Sequence, residues 1–215
     1  MAFQDAAAVS ADLLSANVAT FTTSASSLTD PSSANHLGRK SYIDAGDIWV
    51  RIADTAITAV ASIDVEWTEG AYRALRFAVT GVLPGSAGTT NQLSLRMKIG
   101  GTYLTGASDY SRQRHYVDNG TATASTDLGS LINLQINNNN ANNDEGSVFG
   151  DVDPGASNME AGVIFWSRWS STNGRAIMYS AGMSPTEGAC SGLRFLWNNG
   201  ANFLAQGRIL VQGLK

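Results

Sequence analysis

Leu93-Ser94-Leu95-Arg96-Met97-Lys98-Ile99 places an apolar side chain at every odd position and a polar one at every even position. A helix would scatter these apolar groups around its surface, whereas a strand points successive side chains to opposite faces and collects them on one. The same period recurs on both sides of this stretch. Ile63, Val65 and Trp67 alternate with Asp64, Glu66 and Thr68; Leu75, Phe77 and Val79 alternate with Arg76, Ala78 and Thr80; Ile132, Leu134 and Ile136 alternate with Asn133 and Gln135. Residues 163–166, 176–179, 193–197 and 208–212 carry the signal less cleanly. Gly70, Pro84-Gly85, Gly100-Gly101, Asn119-Gly120 and the polar tract Asn137 to Asn143 supply the turns and loops between runs. Many short strands without an intervening helical pattern predict an all-β fold, an antiparallel, jelly-roll-like β-sandwich over residues 60–215. Ile63, Val65, Leu75, Phe77, Leu93, Leu95, Leu134, Phe195 and Ile209 are expected to face inward.

The chain before this body reads differently. Residues 2–21 are Ala-rich, with Val9, Leu13, Leu14, Val18 and Phe21 near helical spacing and Asp5 placed to cap the first turn. A Ser/Thr/Asp/Pro run from Thr22 to Ser33 follows. A helix this short is marginal in water, and its narrow apolar stripe needs a partner surface to bury it. Residues 1–59 are therefore expected to form an N-terminal attachment arm, extended or briefly helical, with its linker. The docking contacts fall to the five apolar side chains just named.

Charge and composition narrow the function classes. Lys and Arg total 14 against 18 Asp and Glu, for a net charge of −4, which provides no basic stripe for a phosphate backbone and argues against nucleic-acid binding. Charged residues make up 15% of the chain, well under the roughly 25% of ordinary soluble proteins, so the surface is expected to be polar but sparsely charged. No stretch approaches the ~20 apolar residues of a membrane-spanning helix, and the opening Met1-Ala2-Phe3-Gln4-Asp5 lacks the pattern of a signal peptide. No membrane insertion is expected. The single cysteine, Cys190, cannot close an intrachain disulfide and reads as a small buried apolar group, in keeping with assembly in a reducing bacterial cytoplasm.

No catalytic constellation emerges. The two histidines, His36 and His115, lack zinc-site spacing, no Gly-x-Ser-x-Gly elbow occurs, and no paired-carboxylate segment suggests glycoside hydrolysis. His115, within Arg112-Gln113-Arg114-His115-Tyr116, reads as part of a polar strand face. Asp151-Val152-Asp153-Pro154-Gly155 spaces two carboxylates as a cation loop does, but turn chemistry accounts for it more simply. No metal, cofactor or catalytic residue is assigned. Of the five tryptophans, Trp67 and Trp197 lie in register with apolar neighbours and are expected in the core. Trp166 and Trp169, with Arg168 between them, lie where alternation weakens and form the candidate surface-contact patch.

The segment from Tyr72 through Leu75, Phe77 and Val79 to Pro84, then Leu93-Ser-Leu-Arg-Met97, Gly100-Gly101 and Ser108-Asp-Tyr110, resembles a module widespread in tailed-bacteriophage structural proteins. Gly192-Leu-Arg-Phe195 and Gly207-Arg-Ile-Leu-Val-Gln-Gly-Leu214 resemble its closing hairpin, which usually ends Gly-x-Ile-x-Leu-Tyr-Gly-Leu; here Val211-Gln212 replaces Leu-Tyr. The resemblance spans residues 60–214 and carries no catalytic residues. It implies a virion structural protein that associates with other phage virion proteins. Tail fibre, spike or tail-tip component is the preferred role, with the arm docked on the particle, the sandwich facing a host surface glycan, and the chain assembled as a homotrimer. A capsid decoration or head-fibre protein is the second reading, and a polysaccharide-degrading enzyme the third.

Overall fold

The computed structural model describes residues 48–86, 91–135, 145–171 and 174–215. The docking residues Val9, Leu13, Leu14, Val18 and Phe21, together with His36 and the Asn137 to Asn143 tract, lie outside them. The strands are β1 (Trp49–Ala56), β2 (Ser62–Glu66), β3 (Ala74–Val82), β4 (Leu93–Ile99), β5 (Thr102–Tyr103), β6 (Tyr110–Asp118), β7 (Thr121–Gly129), β8 (Ile132–Asn133), β9 (Gly146–Asp153), β10 (Glu160–Ser171), β11 (Gly174–Glu187), β12 (Cys190–Trp197) and β13 (Arg208–Leu214).

Their pairing follows a simple rule. Setting aside β5 and the hairpins β6–β7 and β10–β11, the first remaining strand pairs with the last, β1 with β13, and the second with the second-last, β2 with β12. β3 then pairs with β9 and β4 with β8, so the chain forms one long antiparallel ribbon doubled on itself. The ribbon rolls up: β13 also pairs with β3, and β12 with β4. Successive layers of the ribbon fall alternately into two sheets, which is jelly-roll topology. The inserted hairpins extend one sheet only. It runs β1-β13-β3-β9-β10-β11-β6-β7, while the other runs β2-β12-β4-β5 with β8 attached to β4.

Local chemistry sets the hairpin geometry. Asn119-Gly120 joins β6 to β7 with φ of 47° and 83°, and Gly100-Gly101 joins β4 to β5 with φ of 58° and 78°. Two successive left-handed residues make the tight turn whose twist matches that of paired strands. Of the Asp-Val-Asp-Pro-Gly segment, Asp151 to Asp153 close β9, and the turn follows at Asp153, which accepts a hydrogen bond from the Gly155 N–H at 2.9 Å.

The core lies between the sheets. Leu75, Phe77, Leu93, Leu95, Leu134, Phe195 and Ile209 are buried as the alternation predicts, as is Val65, and Ile63 packs against them from the edge strand β2. Phe77 and Phe195 meet edge to face across the two sheets, with ring centroids 5.5 Å apart. Trp197 is fully buried, and Trp67 packs on the core while its Nε1 donates to the Cys190 carbonyl at 3.0 Å. Cys190 is buried, and burial pushes its thiol pKa up to about 11.

Two expectations need correction. The sheet begins at Trp49, ahead of the expected boundary at residue 60, because β1 pairs with β13 from Trp49↔Leu214 to Ala56↔Arg208. A register shift between Arg51 and Ala53 breaks the two-residue period there, which hides the strand from an alternation reading. The strand expected over Ile132–Ile136 is only β8, Ile132–Asn133. After it, the N–H groups of Leu134 and Gln135 both donate to the Leu93 carbonyl, at 2.7 and 3.1 Å, and the chain leaves the ladder.

Candidate functional site: the outer face of the large sheet

The two sheets present unlike outer faces. On the small sheet the charges are paired among themselves, except for Arg96, whose Nε donates to the Ser130 carbonyl at 3.3 Å. Arg194 grips Asp64 with two hydrogen bonds of 2.7 and 2.6 Å and lies 4.1 Å over the Tyr103 ring. Gly192 stands between Glu66 on β2 and Lys98 on β4 and has no side chain, so Lys98 Nζ reaches Glu66 across it at 2.8 Å. That hydrogen bond holds the Glu66 carboxyl below the usual carboxylate range. Burial, helped by the nearby Asp64 and Glu66 charges, holds the Tyr103 phenol well above its ordinary value. This face is adapted to water.

The large sheet is the reverse. Its register aligns Leu210, Ala78, Phe149, Trp166, Tyr179, His115 and Ala124 in one row across β13, β3, β9, β10, β11, β6 and β7. Ile164 and Ala181 sit in the row on one side, and Arg168, Ile177 and Val117 in the row on the other. These are large side chains in solvent: Ile164 is 70% exposed, Tyr179 65%, Ile177 50% and Trp166 44%. The Phe149 and Trp166 rings stack at 4.5 Å and 19°, as two neighbouring strands permit when both rings stand out of the sheet. Two adjoining depressions, of 520 and 740 Å³, share Ile164 and Asp151 in their floors.

The sequence-predicted patch is partly assembled here. Trp166 and Arg168 are both on this outer face, two residues apart on β10. Trp169 is not: it is 4% exposed and faces the core. β10 is regular through this region, and an odd separation of three places Trp166 and Trp169 on opposite faces of a strand. Phe149, Ile164, Ile177 and Tyr179 complete the surface and were not singled out from sequence. For Ile164 the signal is parity with Trp166 in the unbroken apolar run Val163-Ile164-Phe165-Trp166, whereas Phe149, Ile177 and Tyr179 are brought beside it by strand register. His115 and Gln113 lie on the exposed face of β6, whereas Arg112, Arg114 and Tyr116 turn inward and are half-buried.

Arg112 holds the β6–β7 hairpin in place. Its Nε and Nη2 donate to the two oxygens of Asp127 at 2.9 and 2.7 Å, and its Nη1 donates to the Leu131 carbonyl and Asn133 Oδ1 at 3.1 and 2.8 Å. Asp127 also accepts from Arg114 Nη2 at 2.9 Å. The hairpin is thereby tied to β8 beneath it, which positions the His115 and Val117 edge of the apolar surface.

Among the described residues no group of three or more His, Cys, Asp or Glu side chains is placed to hold a metal ion, and no helix is long and apolar enough to cross a membrane. Asp151 and Asp153 are both exposed on β9, and Asp153 is engaged in the turn.

No protein-family model matches the chain, and no curated protein does. Among solved structures, a fructofuranosidase from Schwanniomyces occidentalis complexed with fructosylnystose shares 6% identity over 78% of this chain and 33% of its own, with a TM-score of 0.23. The crystal structure of A. japonicus CB05 shares 11% identity over 82% of this chain and 28% of its own, also with a TM-score of 0.23. The chain thus spans about a third of the length of the structures it matches. Overlap at this level carries no argument about fold or function.

Proposed function

We propose that the chain is a non-enzymatic structural component of a tailed-phage particle, of tail-fibre, spike or tail-tip type. Residues 1–47 serve in docking on the other virion proteins, and the jelly roll is the body presented toward the host surface. The resemblance to phage modules also implies a closed homo-oligomer, a trimer.

One observation carries this reading. The segments that resemble the phage module are those that roll the ribbon shut: Tyr72–Pro84 contains β3, Leu93–Met97 lies in β4, Gly192–Phe195 in β12 and Gly207–Leu214 in β13, which form the β3·β13 and β4·β12 pairs. Segments about a hundred residues or more apart in sequence are therefore paired in space, and the resemblance extends over connected strands. The departure at Val211-Gln212 leaves that unit intact, since Val211 is buried and Gln212 Oε1 accepts from Arg76 Nε at 2.8 Å.

Labelling intact particles with antibody to the jelly-roll body, viewed by electron microscopy, tests the role. Label at the tail tip or fibres supports it. Label on the head moves the protein to the decoration reading, and absence of label from particles overturns both.

A further inference from the structure

We infer that the outer face of the large sheet, centred on the Phe149, Trp166 and Tyr179 row, is the surface by which copies of this chain associate with one another. This deepens the proposed homo-oligomer by naming its contact surface, and it rests on the sheet itself, so it holds or fails apart from the location in the particle.

The first ground is patterning. An antiparallel sheet with one face in water alternates apolar and polar residues, as β4 does; a continuous apolar run marks a strand covered on both faces. Val163-Ile164-Phe165-Trp166 on β10 and Ala176-Ile177-Met178-Tyr179 on β11 are such runs. The core covers only one side of each: Val163, Phe165, Ala176 and Met178 are buried, while Ile164, Trp166, Ile177 and Tyr179 are exposed.

The second ground is area. From β3 to β7 the face is six strands wide. At about 4.8 Å between strands and 3.3 Å per residue, a stretch of about seven residues covers roughly 550 Å² in projection. Side-chain relief brings this near the ~800 Å² that each partner contributes to a standard stable interface.

The third ground selects a second copy as the occupant. Asp151 and Arg168 sit on this same face with opposite charges and form no ion pair among the described residues; Arg76, directly opposite Asp151 on β3, is turned instead to Gln212 and the Trp49 ring. A second copy of the face offers each of them its counter-charge.

The test is the mass of the full-length chain by sedimentation velocity over a range of concentrations, for the wild type and for Ile164→Lys and Tyr179→Lys. Both positions are exposed, so circular dichroism of the variants should match the wild type. The wild type should sediment at two or more times 22.6 kDa. Each variant should weaken association by about 30-fold or more, the effect expected of a central interface position. A wild type that is monomeric at every concentration overturns the inference, as does an oligomer unaffected by either substitution. A monomer whose tryptophan fluorescence responds to purified bacterial lipopolysaccharide also overturns it and assigns the face to a saccharide. Presence or absence in particles is read separately and leaves this outcome unchanged.

Discussion

Phe77 and Gly150 offer a direct test of the sandwich register. Phe77 on β3 is 3% exposed and lies opposite Gly150 on β9, which in turn lies opposite Phe165 on β10. A Cβ built on Gly150 would come within 2.6 Å of the Phe77 ring and 3.0 Å of Phe165 Cβ, so the glycine is what admits the aromatic ring that meets Phe195. Phe77→Ala should cost about 3–5 kcal/mol through lost transfer energy and the cavity left behind. For a body of this size that corresponds to a fall in Tm on the order of 10 °C. Gly150→Ala should cost about 1–3 kcal/mol by overpacking against the ring. In the double variant the ring is gone and the methyl group fills part of its space. The combined loss should then be smaller than the sum by about 1–2 kcal/mol, as for residues in direct contact. Urea unfolding of the four proteins, followed by tryptophan fluorescence, measures the cycle. Additive losses, or a neutral Gly150→Ala in the wild-type background, would refute the register.

Asp127→Ala should lower stability by about 1–3 kcal/mol, because it strands the half-buried guanidinium groups of Arg112 and Arg114; thermal melts measure it, and loss of amide protection should be largest in β6 and β7. Deleting residues 1–47 should leave the Tm of the body little changed while abolishing incorporation into particles. Deleting residues 1–59 should lower the Tm markedly, since it removes β1, exposes the edge of β13 and takes away the buried Ile57. Cys190 should resist a thiol-specific reagent in the native protein and react on unfolding. Its folded-state pKa of about 11 lies above the ordinary 9.0, so the unfolded chain ionises first and stability should decline as pH rises from about 9 toward 11, a decline that Cys190→Ala should reduce but not abolish, since burial also holds Tyr103 and Tyr110 above their ordinary values.

The parts of the fold legible in the sequence are those where one face meets the core and the other meets water. β4 is the clearest case, because Leu93, Leu95, Met97 and Ile99 share a face and Arg96 and Lys98 take the other. Alternation fails for physical reasons elsewhere. β1 carries a bulge that shifts its parity, and β7 is Thr121-Ala-Thr-Ala-Ser-Thr-Asp-Leu-Gly129, an edge strand with almost no core to mark a face. β10 and β11 are apolar on both faces, so the run Val163–Trp166 reveals a strand without saying which side is outward. That ambiguity placed Trp169 beside Trp166 in the expected patch, when their odd spacing on a long regular strand separates them. Two of the three residues of the expected patch, Trp166 and Arg168, do lie on the surface. Phe149 and Tyr179 join it only through register, which pairs Phe149 with Trp166 and Trp166 with Tyr179 across strands far apart in sequence.

The central claim is that this chain is built into a phage particle, and the most direct measurement is mass spectrometry of particles purified by density gradient from an infected culture. The account predicts peptides from the jelly-roll body, residues 48–215, at a fixed ratio to the major virion proteins through successive gradients. Peptides abundant in the lysate but lost from the purified particles would contradict it.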